Sequence, residues 1–183
     1  MHLANSIYCY HTVPIWGDVS VRKTQLGDEH AIFDIVTRNK AAFSLTMDWV
    51  QHMKGVVDIK AFVLDMLEAS KNNTEHNYAI CQQDTIIGNL TFRVLGQNTM
   101  AIGYWLDTKW QGQGIMTQCI KTMSAVLLAN NVCKTLDISM AVDNSKSERV
   151  AINAGYVFTG ILKEKEYLNG QYKDQKVYIK NKL

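Results

Sequence analysis

The sequence is poor in the features that mark several whole classes of protein. A single proline, Pro14, stands among 183 residues, so no proline-rich linker divides the chain. Neither sign of charge dominates: 19 Lys and Arg against 17 Asp and Glu leave a net +2. With no arginine-rich run to concentrate that charge, neither nucleic acid nor a membrane surface is expected as a partner. No apolar run approaches the ~20 residues of a membrane span. Residues 1–18, with His2, Asn5, His11 and Asp18 among them, lack the basic start and apolar centre of a secretory leader. The cytoplasm is the expected location. Cys9, Cys81, Cys119 and Cys133 form no CxxC pair and read as buried, reduced thiols. No histidine pair has zinc-ligand spacing, so no metal is expected. The length suits one domain, 1–183, with a substantial core.

What the sequence does have is concentrated in residues 99–130. Met100, Ile102, Tyr104, Trp105 and Leu106 give an apolar and aromatic run that predicts a strand. Ile115, Met116, Cys119, Ile120 and Met123 recur at helical spacing. Between them lies Gln111-Gly112-Gln113-Gly114. Glycines let the backbone approach another group without a Cβ, and the following helix start presents bare N–H groups and a positive dipole end. The segment is therefore read as an anion cradle. A P-loop is excluded, because the two glycines are too close and no Lys-Ser/Thr follows. A dinucleotide fingerprint fits Gly112 and Gly114 but meets Thr117 at its third glycine, and Asp107-Thr108-Lys109-Trp110 intervene after the strand.

Around this stretch, apolar spacing predicts helices over 28–40 and 58–71, the latter with Ile59, Phe62, Val63, Met66 and Leu67 on one side. Residues 42–57, holding Phe43, Met47, Trp49 and Met53, show no clean period and are read as a substrate-side loop or short helix. A first strand is expected over 19–24, and 78–83, 86–95 and 100–106 read as an antiparallel meander. Leu136, Ile138, Met140 and Val142 alternate as a half-buried strand. A short helix over 144–153 follows, capped by Asn144 or Ser145. Residues 157–180 then form a hairpin around Asn169-Gly170, a type I′ signal. The resulting order is β-α-α-β-β-β-α-β-α-β-β.

That order and these residues resemble the GNAT (Gcn5-related N-acetyltransferase) superfamily. Gln111 and Gly114 match its Q/R-x-x-G-x-G/A loop, and Met116 departs from the last Gly or Ala. Ile102-Gly103-Tyr104-Trp105-Leu106-Asp107, Gly114-Ile115-Met116-Thr117, Val142-Asp143-Asn144 with Ser147, Ala154-Gly155-Tyr156 and Glu166-Tyr167-Leu168-Asn169-Gly170 are similar to its RimJ/RimL-type branch. The resemblance implies an α/β (α+β) GNAT fold with a mixed, mostly antiparallel central sheet splayed at the acetyl-CoA site. It further implies that backbone groups of Trp105, Leu106 and Asp107 meet the pantetheine and thioester. Gln111, Gly112, Gln113, Gly114, Ile115, Met116 and Thr117 would hold the pyrophosphate. Family members are often dimers, though no stripe here marks an interface for a homodimer.

Asn144 and Ser147 stand three apart on one helix face. Asn144 is a natural cap; the resemblance adds contact with pantetheine, and makes Ser147 the group that protonates the departing thiolate. A hydroxyl is a far weaker acid than a thiol, so Ser147 is read as a hydrogen-bond donor or relay. Glu166, in Lys163-Glu164-Lys165-Glu166, is by itself a charged strand edge; the resemblance makes it the base that takes the amine proton through water. An α-amine titrates at ~7.7–8.0 and a lysine at ~10.4, so a neutral lysine costs about 3 kcal/mol more to reach. A weak base thus suits a protein N-terminus. Tyr8, Tyr10, Trp16, Trp105 and Trp110 read as core or rim, and Trp49 as an acceptor-pocket wall. His30 and His52 receive no role. The expected activity is acetyl transfer from acetyl-CoA to a primary amine, most simply an N-terminal α-amine of ribosomal-protein type. The alternatives are a polyamine or antibiotic acetyltransferase, or a non-catalytic acyl-CoA-binding module.

Overall fold

The computed structural model describes residues 11–182; Tyr8, Cys9 and Tyr10 lie outside them. Eight strands form one sheet in the order β1-β2-β3-β4-β5-β6-β8-β7. They are β1 (Thr12–Trp16), β2 (Val19–Lys23), β3 (Glu75–Gln82), β4 (Thr85–Val94), β5 (Thr99–Leu106), β6 (Thr135–Ala141), β7 (Val157–Leu168) and β8 (Gln171–Asn181). Every neighbouring pair is antiparallel except β5 and β6. The expected fold class holds.

Period-two alternation explains how the sheet is covered on both faces. In β3, Tyr78 and Ile80 enter one apolar cluster while Ala79 and Cys81 enter the other. The second cluster is closed by α1 (Glu29–Arg38), α2 (Lys40–Phe43), α3 (Trp49–His52) and α4 (Val56–Lys71) through Ile32, Ile35, Val36, Phe43, Val50, Ile59 and Val63. The first is closed by α5 (Ile115–Ala129), whose Cys119, Ile120, Met123 and Leu127 are essentially inaccessible to solvent. Truncating one such side chain to alanine costs about 2–5 kcal/mol. A last helix, α6 (Ser145–Asn153), covers the end of β6.

Two local differences from the expected elements have physical causes, and a third stretch, expected as a loop or short helix, is short helix. A strand, β1, precedes the one expected first. Only Val13 of its five residues is buried and it contains Pro14, so it has the weak pattern of an edge strand. The helix expected over 28–40 stops at Arg38, because Asn39 leaves helical geometry and its side chain bonds the Ile35 carbonyl and Asp107. The aperiodic 42–57 stretch holds α3 and meets the end of α2, both single turns. The hairpin turn is as expected: Asn169 and Gly170 both have positive φ, 52° and 81°.

The feature that positions the site is the parting of β5 and β6. They pair only over Thr99–Ala101 against Thr135–Asp137, and the remainder of β5 has β4 on one side and a gap on the other. Gly88 keeps β4 close there: a Cβ at that position would lie 2.6 Å from the Trp105 carbonyl oxygen.

Candidate active site

The gap opens into a cleft of about 670 Å³, within the range of small-molecule sites. One side of it is main chain. Asp107 N–H donates to the Ile87 carbonyl (2.9 Å), so by antiparallel alternation Trp105 and Asp107 direct their backbone groups to β4, and Tyr104 and Leu106 direct theirs to the gap. This corrects the expectation for Trp105 and Asp107, whose main-chain groups are already engaged by the sheet. The Leu106 carbonyl in turn accepts from Gln111 Nε2 at 2.9 Å, which folds the loop back onto the strand end.

After a 3-10 turn (Thr108–Trp110) the chain passes through Gly112 and Gly114, whose φ values of 78° and 79° favour glycine. No atom lies within 4 Å of where a Cβ would stand at either. The first hydrogen bond of α5 runs from Gln118 N to Gly114 O. The amides of Ile115, Met116 and Thr117 therefore precede the ladder at the positive end of the helix, and all three residues line the cleft. Trp110 lines it too, and its buried indole N–H has no partner among the described residues. Open space beside a glycine loop, bare amides and an orphan donor fit a diphosphate. Gln113 points elsewhere: its side chain bonds the Lys109 carbonyl at 3.2 Å and does not line the cleft.

The opposite wall is α6. Asn144 is its N-cap, Oδ1 accepting from Ser147 N at 3.1 Å, while its residue also lines the cleft. Ser147 Oγ lies 2.7 Å from Tyr104 OH, which also donates to the Ser147 carbonyl at 3.2 Å. Burial pushes the Tyr104 phenol up to about 12, against the opposing effect of Ser147. Glu148 fixes this helix to β8 by accepting from Lys176 Nζ (2.8 Å) and Tyr178 OH (2.7 Å). Lys146 and Arg149 also line the cleft, and no carboxylate does among its lining residues.

Several residues escaped the sequence reading. Tyr104, expected only as a strand residue, lines the cleft beside Ser147. Lys146 and Arg149 were overlooked although, with Val150 and Asn153, they share the i, i+3, i+4, i+7 spacing of one helix face. Phe43 lines the cleft and packs on Trp105 with ring centroids 5.7 Å apart. Trp49 does not line the cleft; it stacks on Phe62 at 5.1 Å. Glu166 is half-buried on β7 and accepts from Gln175 Nε2 at 3.0 Å, also outside the cleft lining. Cys81, Cys119 and Cys133 are buried, and burial pushes the Cys119 thiol up to about 12 and that of Cys133 to about 11, so neither is a ready nucleophile.

A mixed sheet that parts beside a glycine loop and a bare helix start defines a coenzyme-A-dependent acyltransferase. The chain belongs to the acetyltransferase (GNAT) domain family, whose profile matches residues 19–157. It is 27% identical over 151 residues to the ribosomal-protein-serine acetyltransferase of Escherichia coli (strain K12), covering 81% of this chain and 84% of that one. Among solved structures, the ribosomal α-N-protein acetyltransferase RimL in complex with coenzyme A superposes with TM-score 0.89 at 27% identity, covering 93% of this chain and 97% of that one. The microcin self-immunity acetyltransferase MccE, in complex with acetyl-CoA and AMP, gives 0.90 at 26%, covering 94% and 97%. The protein is thus a GNAT N-acetyltransferase with acetyl-CoA as donor. Among the described residues, no helix is long and apolar enough to cross a membrane, and no group of three His, Cys, Asp or Glu side chains is placed to hold a metal ion.

Proposed function

We propose that this enzyme acetylates the N-terminal α-amine of a protein, of the ribosomal type named for its relatives, by direct transfer while both substrates are bound. The observation that carries the reading is the charge of the cleft: Lys146 and Arg149 line it, and among the described residues no carboxylate does. Such a lining suits a phosphorylated donor and disfavours a polycationic acceptor such as a polyamine. Two relatives named for ribosomal-protein or α-N-protein acetylation support it.

The donor supplies an acetyl thioester. In this reading Tyr104 and Leu106 offer strand-edge groups to its amides, Trp105 and Asp107 form the strand that carries them, and the loop from Gln111 to Thr117 takes the diphosphate. Gln113 contributes through the loop's shape. Asn144 shapes the α6 wall beside the pantetheine arm. The amine nitrogen forms its bond to the thioester carbonyl carbon as the carbon–sulfur bond breaks. Glu166 accepts the amine proton through water, and Ser147, hydrogen-bonded to Tyr104, donates toward the sulfur. Trp49, stacked on Phe62 and packed against the apolar cluster that holds Phe43, backs the acceptor wall. The site of action in this reading is the cytoplasm, where nascent proteins and acetyl-CoA meet.

A second reading, a small-molecule amine acceptor, is favoured by the equally close superposition on MccE. Thiol release from acetyl-CoA separates the two. A seryl or alanyl peptide with a free N-terminus is expected to be turned over, and the same peptide N-blocked with an internal lysine is not. Faster turnover of spermidine or an aminoacyl nucleotide overturns the peptide reading, and tight acetyl-CoA binding without acceptor-dependent thiol identifies a binding module.

A further inference from the structure

The cleft and the helices beside it meet at one polar cluster, buried at Asp107 and Asn39 and open to solvent at Arg38. Asp107 follows directly on β5 and is 1% exposed; Asn39, between α1 and α2, is 4% exposed. The two Asp107 oxygens accept from Arg38 Nη2 (2.6 Å) and Nε (3.2 Å) and from Asn39 Nδ2 (3.0 Å). Asn39 Oδ1 accepts in return from Thr108 N (3.2 Å) and Thr108 Oγ1 (2.5 Å). Four residues beyond Asn39, Phe43 lines the cleft and packs on Trp105.

These groups exceed what stability alone requires at a helix end, since buried charge is seldom stabilising compared with apolar packing of the same volume. What a satisfied polar cluster supplies is one fixed arrangement. We propose that Arg38, Asn39 and Asp107 are positioning residues, a strut that fixes the acceptor wall at Phe43 against the donor edge at Tyr104–Leu106 and so aligns amine with thioester. The inference rests on the acetyltransferase reading of the cleft and adds residues that touch neither substrate. Its physical logic is that reacting groups must be held to within a fraction of an ångström, and a displacement of about 1 Å costs about a hundredfold in rate. None of the strut's hydrogen bonds reaches Gly112, Gly114 or the α5 amides, so donor affinity and alignment should come apart when one member is removed.

The test is Asn39→Ala, with Arg38→Lys as a milder variant that keeps the cation should the first lose its fold. Acetyl-CoA Kd is measured by calorimetry, thermal stability by circular dichroism, and kcat and acceptor KM by thiol release with the best acceptor of the screen. The expected result is a fall of about tenfold or more in kcat/KM for the acceptor in Asn39→Ala and a smaller fall in Arg38→Lys, with acetyl-CoA Kd within about threefold of wild type. Acceptor kinetics within threefold of wild type, or a donor Kd that rises as much as kcat/KM falls, overturns the strut. Wild-type protein that does not bind acetyl-CoA overturns the underlying reading of the cleft instead.

Discussion

The two sides of the cleft are made of different material. The donor side is main chain supplied by consecutive residues: the end of β5, the loop through Gly112 and Gly114, and the first amides of α5. The other side, where the proposed acceptor would enter, is side chain gathered from distant segments: Phe43, packed on Trp105, and Ser147 beside Tyr104. Outside the cleft lining, Gln51 Nε2 donates to Asn169 Oδ1 (2.7 Å) and Asn169 Nδ2 to the Ser44 carbonyl (3.0 Å), tying the hairpin turn to the α2–α3 segment. A cradle of amides recognises a charge pattern common to every substrate that carries it. A wall of side chains can change with the substrate. The invariant donor is thus held by the part with least freedom to vary, and acceptor choice is left to the part with most.

The comparison breaks most visibly at Gly114. Gly114→Glu puts a β-carbon at φ 79° and a carboxylate toward the diphosphate. Acetyl-CoA Kd should rise a hundredfold or more, about 2.7 kcal/mol, with the circular dichroism spectrum unchanged; unaltered affinity in calorimetry would reject the cradle. Next in size is Ser147→Ala. It removes the hydroxyl beside Tyr104 without touching the loop, so kcat should fall about tenfold while donor Kd stays within twofold. An undiminished rate takes Ser147 out of the chemistry. Beyond the cleft lining, Gln51→Ala frees the hairpin turn from the α3 helix, and if that segment borders the proposed acceptor, acceptor KM should rise about threefold with no change in donor Kd, as befits a single exposed hydrogen bond. A change in donor affinity there would mean that the two sides are not separable.

The smallest effect concerns the residue that joins them. Burial alone would raise the Asp107 carboxyl, but the hydrogen bonds from Arg38, Asn39 and the Lys109 amide hold it below its ordinary value of 3.8. A carboxylate depressed in the folded state contributes stability that is present above the unfolded value and is lost as pH falls through the folded one. Thermal stability should therefore decline below about pH 4. Asp107→Asn should flatten part of that decline, the rest belonging to Asp143, Glu148 and Asp174, held low by hydrogen bonds from Lys173, Lys176 and Lys163 respectively, and to Glu29 and Asp58, held low by backbone amides. A stability curve of the same steepness in Asp107→Asn would remove it from the acid limb.

Much of the donor half is legible in the one-dimensional chain because its parts are adjacent there. Gln111 to Thr117 read as a cradle from glycine spacing and helix onset alone, and the Asn169-Gly170 turn from its backbone demands. The choice of edge groups was less legible. Which of Tyr104, Trp105 and Leu106 faces the gap depends on the phase of pairing with β4, fixed by Asp107 against Ile87. Tyr104 beside Ser147 is a contact across 43 residues, and Arg38 with Asp107 one across 69; neither leaves a periodic trace. Residues 42–57 had no period to read because single-turn helices are too short to repeat one.

By itself the sequence determined every strand of the sheet but β1, the two long helices that cover it, and the glycine loop after β5, since these follow from hydrophobic period and from conformations only glycine adopts readily. The tertiary structure alone decided where β5 and β6 part, which strand-edge groups face the opening, and which side chains from α1, α2 and α6 meet across it. The physical reason is range. Local propensity acts between residues a few places apart, whereas a cleft is created by packing elements that the chain keeps far from one another.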